Sequence, residues 1–136
     1  MTTKITFSIS DLAKEFDLST RTIRFYEEKG LLAPGRTSGG HRVYSKQDRS
    51  RIKLILRGKR FGNTLDEIVD MIGLASEPVS ETEQISKTLA YGDRHLAEIR
   101  RNKEELELME REILDLQERL QKRLKDIHAP EEKASD

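Results

Sequence analysis

Between Pro78 and Pro130 the chain contains no proline, and along that stretch apolar residues recur at alternating spacings of four and three. The positions are 85, 89, 92, 96, 99, 103, 106, 110, 113, 117, 120, 124 and 127, and nine of the thirteen are Ile or Leu: Ile85, Leu89, Leu96, Ile99, Leu106, Ile113, Leu120, Leu124 and Ile127. A repeat of 3.5 residues places all of them on one seam of a helix, and a seam of that length is buried only against another helix. The expectation is therefore a coiled coil. Ser80 and Glu83 form a capping box at its start. At about 1.5 Å per residue the helix should reach roughly 70 Å. The seam is interrupted by Gly92, Lys103, Glu110 and Gln117, the last three at one heptad position in successive heptads. Polar residues there cost stability and commonly specify register or orientation. In an antiparallel dimer, Lys103 of one chain would lie near the partner's Glu110.

A chain with such an arm cannot be one globule. Its 136 residues are 35% hydrophobic and 37% charged, too polar for a single compact core. The formal net charge is zero, but residues 1–75 carry 14 Lys+Arg against 9 Asp+Glu, a net of +5, and residues 76–136 carry 11 against 16, a net of −5. A basic module for a polyanion joined to an acidic helical arm fits that split. The expected organisation is a basic domain over 1–75, a linker over 76–80, a dimerisation helix over 81–128 and a disordered tail over 129–136. There is no cysteine, which excludes disulfides, thiolate metal sites and thiol redox chemistry. No apolar run is long enough to span a bilayer and no secretory signal opens the chain; the expected location is the cytoplasm, away from membranes.

Within the basic half, Ser19 to Gly30 reads as a short helix, with Ser19 as N-cap and Gly30 able to close it in the left-handed conformation. Ile23, Tyr26 and Glu27 share one side, while Thr20, Arg21 and Arg24 lie on another. Upstream, a helix capped by Ser10 carries Leu12, Ala13 and Phe16, and Asp17-Leu18-Ser19 is a tight turn. This is a helix-turn-helix pattern; a plain helical hairpin with solvated arginines is the alternative. Residues 1–7, with Ile5 and Phe7 alternating, read as a small strand or extended lead-in. Gly39-Gly40 then separates two short segments, and Arg42 and Tyr44 share a face of the second, as in the wing of a winged helix; a surface loop is the alternative. Ser45 and Asp48 open a basic helix to about Arg60, with Ile52, Ile55 and Leu56 as its buried stripe and Arg49, Arg51, Lys53, Arg57, Lys59 and Arg60 as its charge. Thr64 and Glu67 cap another helix, ended by Gly73.

Several of these segments, in this order, resemble the DNA-binding domain of the MerR family of bacterial transcription regulators. The likeness is carried by Ser8-Ile9-Ser10-Asp11-Leu12-Ala13, Thr22-Ile23-Arg24-Phe25-Tyr26-Glu27, Gly30-Leu31-Leu32, Arg42-Val43-Tyr44 and Leu65-Asp66-Glu67-Ile68. Leu54 to Arg60 more weakly resembles the subgroup that regulates leucine and isovalerate breakdown. One departure is Asn63, where the family usually has an aromatic, with Phe61 placed before Gly62 instead. The resemblance implies a mainly α fold, a winged helix-turn-helix followed by a long helix in an antiparallel coiled coil. It further implies a homodimer bound to double-stranded promoter DNA at a pseudo-palindrome, bending and untwisting it for RNA polymerase. Thr20, Arg21 and Arg24 would approach bases or adjacent phosphates; Tyr26, Arg42, Tyr44 and Arg60 would grip phosphates. Leu89, Leu96, Ile99, Leu106, Ile113 and Leu120 would form the dimer seam, and Met109, Leu114 and Leu116 widen it, for packing on the partner's DNA-binding domain. No cofactor and no metal site is expected, His41, His95 and His128 being dispersed in sequence. A small-molecule effector, for which an acyl-CoA would suit the subgroup likeness, has no pocket legible in the residues. Two other readings stay open: a DNA-bending architectural or recombination accessory protein without an inducer, and a coiled-coil protein whose basic domain binds another protein. No phosphate-binding glycine loop, metal-ligand spacing or nucleophile elbow points to an enzyme.

Overall fold

The computed structural model describes residues 5–129, so of the expected tail only Ala129 falls within it. In order, the elements are β1 (Thr6–Phe7), α1 (Ile9–Phe16), α2 (Thr20–Glu28), β2 (Gly35–Arg36), β3 (Arg42–Ser45), α3 (Lys46–Arg60), α4 (Leu65–Ile72), β4 (Gly73–Leu74), β5 (Glu77–Pro78) and α5 (Glu81–His128). The chain divides after His95 into two compact units.

Each short helix of the first unit is started by a side chain. Ser19, Ser45 and Thr64 accept from the third backbone N–H of α2, α3 and α4, and Asp48 and Glu67 return bonds to the cap residues of α3 and α4. The start of α1 differs from the expected one. Ser8, not Ser10, is the cap, in a reciprocal pair with Asp11. An acidic side chain three positions after a serine can reach back to its N–H; Ser10 has Ala13 there and offers no such return. The helix ends are closed just as locally. At Gly30 (φ +78°) the chain turns, with Gly30 N–H donating to Glu27 O and Leu31 N–H to Tyr26 O. Gly62 (φ +90°) repeats the arrangement after α3, Gly62 N–H donating to Lys59 O and Asn63 N–H to Gly58 O.

The strands β1, β3 and β2 form an antiparallel sheet in that order, with Phe7 opposite Tyr44 and Arg36 opposite Arg42. Its hairpin, closed by Thr37 N–H to His41 O, is the expected wing. The helices cover a core built from Leu12, Ile23, Tyr26, Leu31, Tyr44, Ile52, Ile55 and Ile68. Burying such side chains contributes about 1.5–3 kcal/mol each. Gly58 lets α3 approach α4, since a Cβ there would stand 2.9 Å from Ile68 Cγ1.

Two buried charges sit in this core. Asp48 accepts from Ser45 N–H (3.1 Å) and from Ala33 N–H (3.2 Å). Arg51, one turn on, donates to Leu31 O (2.7 Å), Ile72 O (3.4 Å) and Gly73 O, so this member of the helix's basic set points inward. The residue is 5% exposed, and three carbonyls replace the water lost by its guanidinium. Burial lowers its pKa, an effect that nearby Asp48 opposes.

The stretch expected as a plain linker is partly a hairpin: β4 and β5 pair, Gly73 opposite Pro78 and Leu74 opposite Glu77. Its turn is tied to the end of α2 by Ala75 N–H donating to Gly30 O at 2.8 Å. Ser80 then caps α5, accepting from Glu83 N–H, and the helix runs 48 residues with none buried. No helix among the described residues is long and apolar enough to cross a membrane.

Candidate nucleic-acid interface

The outward side of α2 is polar and basic because its inward side is occupied. Ile23 and Tyr26 face the core, leaving Arg21 and Arg24 exposed and Thr20 half-buried. Arg24 Nη2 donates to Thr20 Oγ1 at 3.1 Å, which draws Thr20 and Arg24 into one polar group at i and i+4. Ser19, at the cap, also contacts Thr22 Oγ1 at 2.8 Å. The helix has no acid in its first turn. An N-terminal turn presenting hydroxyls and guanidiniums suits base edges and phosphates, which are acceptor-rich.

Two expected contacts are corrected by burial. Arg42 and Tyr44 do share a face of β3, but that face points inward. Tyr44 is 0% exposed and Tyr26 1%, so neither ring is a phosphate ligand in this arrangement; both are core residues. Among the described residues the buried Tyr44 hydroxyl has no hydrogen-bond partner, and burial raises its pKa. Arg42 Nε donates to Glu27 Oε2 at 2.7 Å, with Arg36 at 4.0 Å from the same carboxylate. The wing is thereby fastened to the inner side of α2, and Glu27 is a positioning residue that reading the sequence placed only on the packing side. Arg36 also donates to Gly40 O within the hairpin. Arg60 is exposed in the last turn of α3, next to Lys59, whose ammonium lies 5.7 Å from the Tyr26 ring centroid.

The first turns of α5 bind α4 through a polar stripe at 87, 91, 94 and 95, a helical face on the opposite side from the seam. Lys87 Nζ meets Asp70 Oδ1 at 2.9 Å, Tyr91 donates its phenol to Asp70 Oδ2 at 2.8 Å, Arg94 pairs with Glu67, and His95 Nε2 lies 2.7 Å from Asn63 Oδ1. Asn63 Nδ2 also donates to Gly58 O. Thus Asn63, where an aromatic is usual, joins the end of α3 to α5. The hydrogen bonds from Lys87, then Tyr91, hold the Asp70 carboxyl below its usual 3.8. A carboxylate depressed in the folded state contributes stability above its unfolded pKa and loses it as pH falls through the folded one. The clasp should therefore persist at pH 4 and open only in stronger acid. Carbon-detected NMR titration of Asp70 is expected to give a midpoint below 3.8, moving upward in Lys87→Gln; a midpoint unchanged by that substitution would show that the pair does not form in solution.

The residues expected at the dimer seam, Leu89, Leu96, Ile99, Leu106, Ile113 and Leu120, are all exposed in the single chain. Among the described residues no three His, Asp or Glu side chains gather as a metal-binding group.

Comparison with known proteins decides what this architecture is. A family model described as "MerR HTH family regulatory protein" matches residues 7–73, and one described as "MerR, DNA binding" matches residues 49–116. The chain belongs to the MerR family. As such it is a DNA-binding transcriptional regulator, and the relatives it matches are regulators rather than enzymes. It is similar to the HTH-type transcriptional regulator CueR of Escherichia coli O157:H7, 34% identical over 80% of this chain and 79% of that one. The mercuric resistance operon regulatory protein of Bacillus cereus is 33% identical over 90% of each chain. Among solved structures, HiNmlR, a MerR family regulator lacking the sensor domain and bound to promoter DNA, matches with a TM-score of 0.60 at 25% identity, over 84% of this chain and 92% of that one.

Proposed function

We propose that this MerR-family chain acts as a homodimer that reads a pseudo-palindromic promoter site through α2 and bends and untwists the DNA between the half-sites. The observation that carries the reading is the exposed group Thr20, Arg21 and Arg24 on a helix whose other side is locked to the core and to the wing through Glu27 and Arg42. Phosphate contacts fix register while base contacts give selectivity; Arg21 and Arg24 are the residues proposed for bases, and Arg36 and Arg60 for phosphates, with Arg42 holding the wing through Glu27. A single α2 spans few base pairs, so two copies on one site supply both affinity and selectivity. The seam of α5, exposed in the single chain, is the proposed dimer surface. Residues 1–75 form the DNA-binding domain in this reading and 81–128 the dimerisation helix. The solved structure of HiNmlR on promoter DNA supports the class of ligand.

Deforming the DNA realigns promoter elements for RNA polymerase, and an effector would act on that step. The named relatives include a mercuric resistance regulator, but soft-metal sensing of that kind favours thiolates, and this chain has no cysteine. The likeness of Leu54 to Arg60 to leucine and isovalerate regulators supports branched-chain amino-acid or acyl-CoA catabolism genes as the regulon, with an acyl-CoA effector.

The test is selection of genomic fragments with the purified protein at physiological salt, followed by footprinting. A protected palindrome between promoter elements is expected. Recovery of no preferred sequence would overturn sequence-specific regulation in favour of an architectural protein.

A further inference from the structure

We infer that Phe61 is a DNA contact, its ring packing on a deoxyribose between two phosphates held by Arg57 and Arg60 in each half-site. The inference rests on the promoter-DNA reading proposed above.

Its starting point is the departure at the end of α3, where the aromatic stands before Gly62 and Asn63 follows it. The position after the glycine is taken by a polar pair. Asn63 Nδ2 donates to Gly58 O at 3.1 Å, so Asn63 Oδ1 is left as the acceptor, and His95 Nε2, 2.7 Å away, carries the proton between them. The aromatic two positions earlier points outward instead, and Phe61 is 59% exposed.

The other three phenylalanines are covered. Phe7 and Phe16 pack against the core, and Phe25 lies under the Lys29 ammonium, 5.5 Å from its ring centroid. Among the described residues Phe61 has no ring or cation contact. Its backbone is nevertheless firmly held. Phe61 N–H donates to Arg57 O (3.1 Å), Gly62 N–H to Lys59 O (3.1 Å) and Asn63 N–H to Gly58 O (3.0 Å), so three successive N–H groups fold back onto α3. An apolar ring held stiffly in water gains nothing by itself; it is stabilised only by what docks on it, and its ordering is already complete when that happens.

What docks must be anionic as well as apolar. Arg57 and Arg60 are exposed, three residues apart on one side of α3, and neither pairs with an acid among the described residues. Phe61 follows Arg57 by four, which sets the ring over the same side. Lys59 is turned toward α2, its ammonium 5.7 Å from the Tyr26 ring centroid, so this end of α3 stands beside the helix proposed to read the bases. A DNA strand offers the matching alternation, a phosphate on either side of a sugar whose carbons are apolar. An acidic protein surface is the competing occupant, and the test separates the two.

The test uses the full chain on its footprinted site, with affinity measured across a salt series. Phe61→Ala should weaken binding about tenfold or more at every salt concentration. The slope of log affinity against log salt should not change, because an apolar contact releases no counterions. Arg60→Ala should instead lower that slope by about one per protomer. Phe61→Leu keeps an apolar side chain and should lose only about threefold or less. In hydroxyl-radical footprints, one sugar of each half-site that the unmodified chain protects should become open in Phe61→Ala. The melting temperature of both variants should match that of the unmodified chain, the ring being mostly in water already. Phe61→Ala that binds as tightly as the unmodified chain with the same footprint would overturn the inference. A loss confined to recruitment of RNA polymerase would also overturn it, giving the ring to a protein partner, and so would a fall in melting temperature shared by both variants. An unmodified chain that protects no preferred site would instead sink the promoter-DNA reading itself.

Discussion

Alanine at Arg24 should cost the dimer about 2–6 kcal/mol of specific affinity, since a bidentate arginine discriminates its base by about 1–3 kcal/mol and the site is read twice. The loss should be concentrated at one base of each half-site. Competition against every single-base variant of the footprinted site measures it: the wild type rejects substitutions at that base, and Arg24→Ala accepts them. Equal weakening on random DNA, with a salt slope lowered by about one per protomer, would instead make Arg24 a phosphate contact. Thr20→Ala should act in the same direction but less, because it removes only the hydroxyl that steadies the guanidinium at 3.1 Å.

Replacing Arg51 by methionine is expected to destabilise the amino-terminal unit by about 3 kcal/mol or more. The side chain keeps much of its length, but the carbonyls of Leu31, Ile72 and Gly73 lose their buried donor, and each unsatisfied buried group costs about 1–3 kcal/mol. For a domain of this size that corresponds to a fall in Tm of about 12 °C or more, read by circular dichroism on the full chain. A change of less than 1 kcal/mol would mean that water takes over the carbonyls and that the guanidinium is not the clamp described above.

Arg51 also shows where reading the sequence stops. Helix boundaries were legible because serine and threonine caps with acidic residues three positions on are local devices, and so was the turn at Gly30. The wing was legible from Gly39-Gly40 and the two short segments beside it. The destination of a long polar side chain was not. Ser45, Asp48 and Arg51 are spaced by three, in line with Ile52 and Ile55, and that periodicity carried a signal that Asp48 and Arg51 turn inward; their charge argued the other way. Arg42 and Tyr44 share one face, yet which face meets the core depends on α2, through Glu27, 15 residues from Arg42 in sequence. The clasp at Lys87, Tyr91, Arg94 and His95 was hidden by the stronger leucine pattern on the other side of the same helix. Ser10 reads as a cap from its hydroxyl alone, whereas the reciprocal partner Asp11 stands three positions after Ser8.

The ties at Gly30, Leu31, Gly73 and Ala75 can be restated as mechanics. The carbonyl of Gly30 is bonded to Ala75, and those of Leu31 and Gly73 share one guanidinium, so the exit of α2 and the strands leading into α5 are cross-braced at neighbouring points. Displacing the entrance of the long helix without moving the exit of α2 would therefore require breaking at least one of these hydrogen bonds.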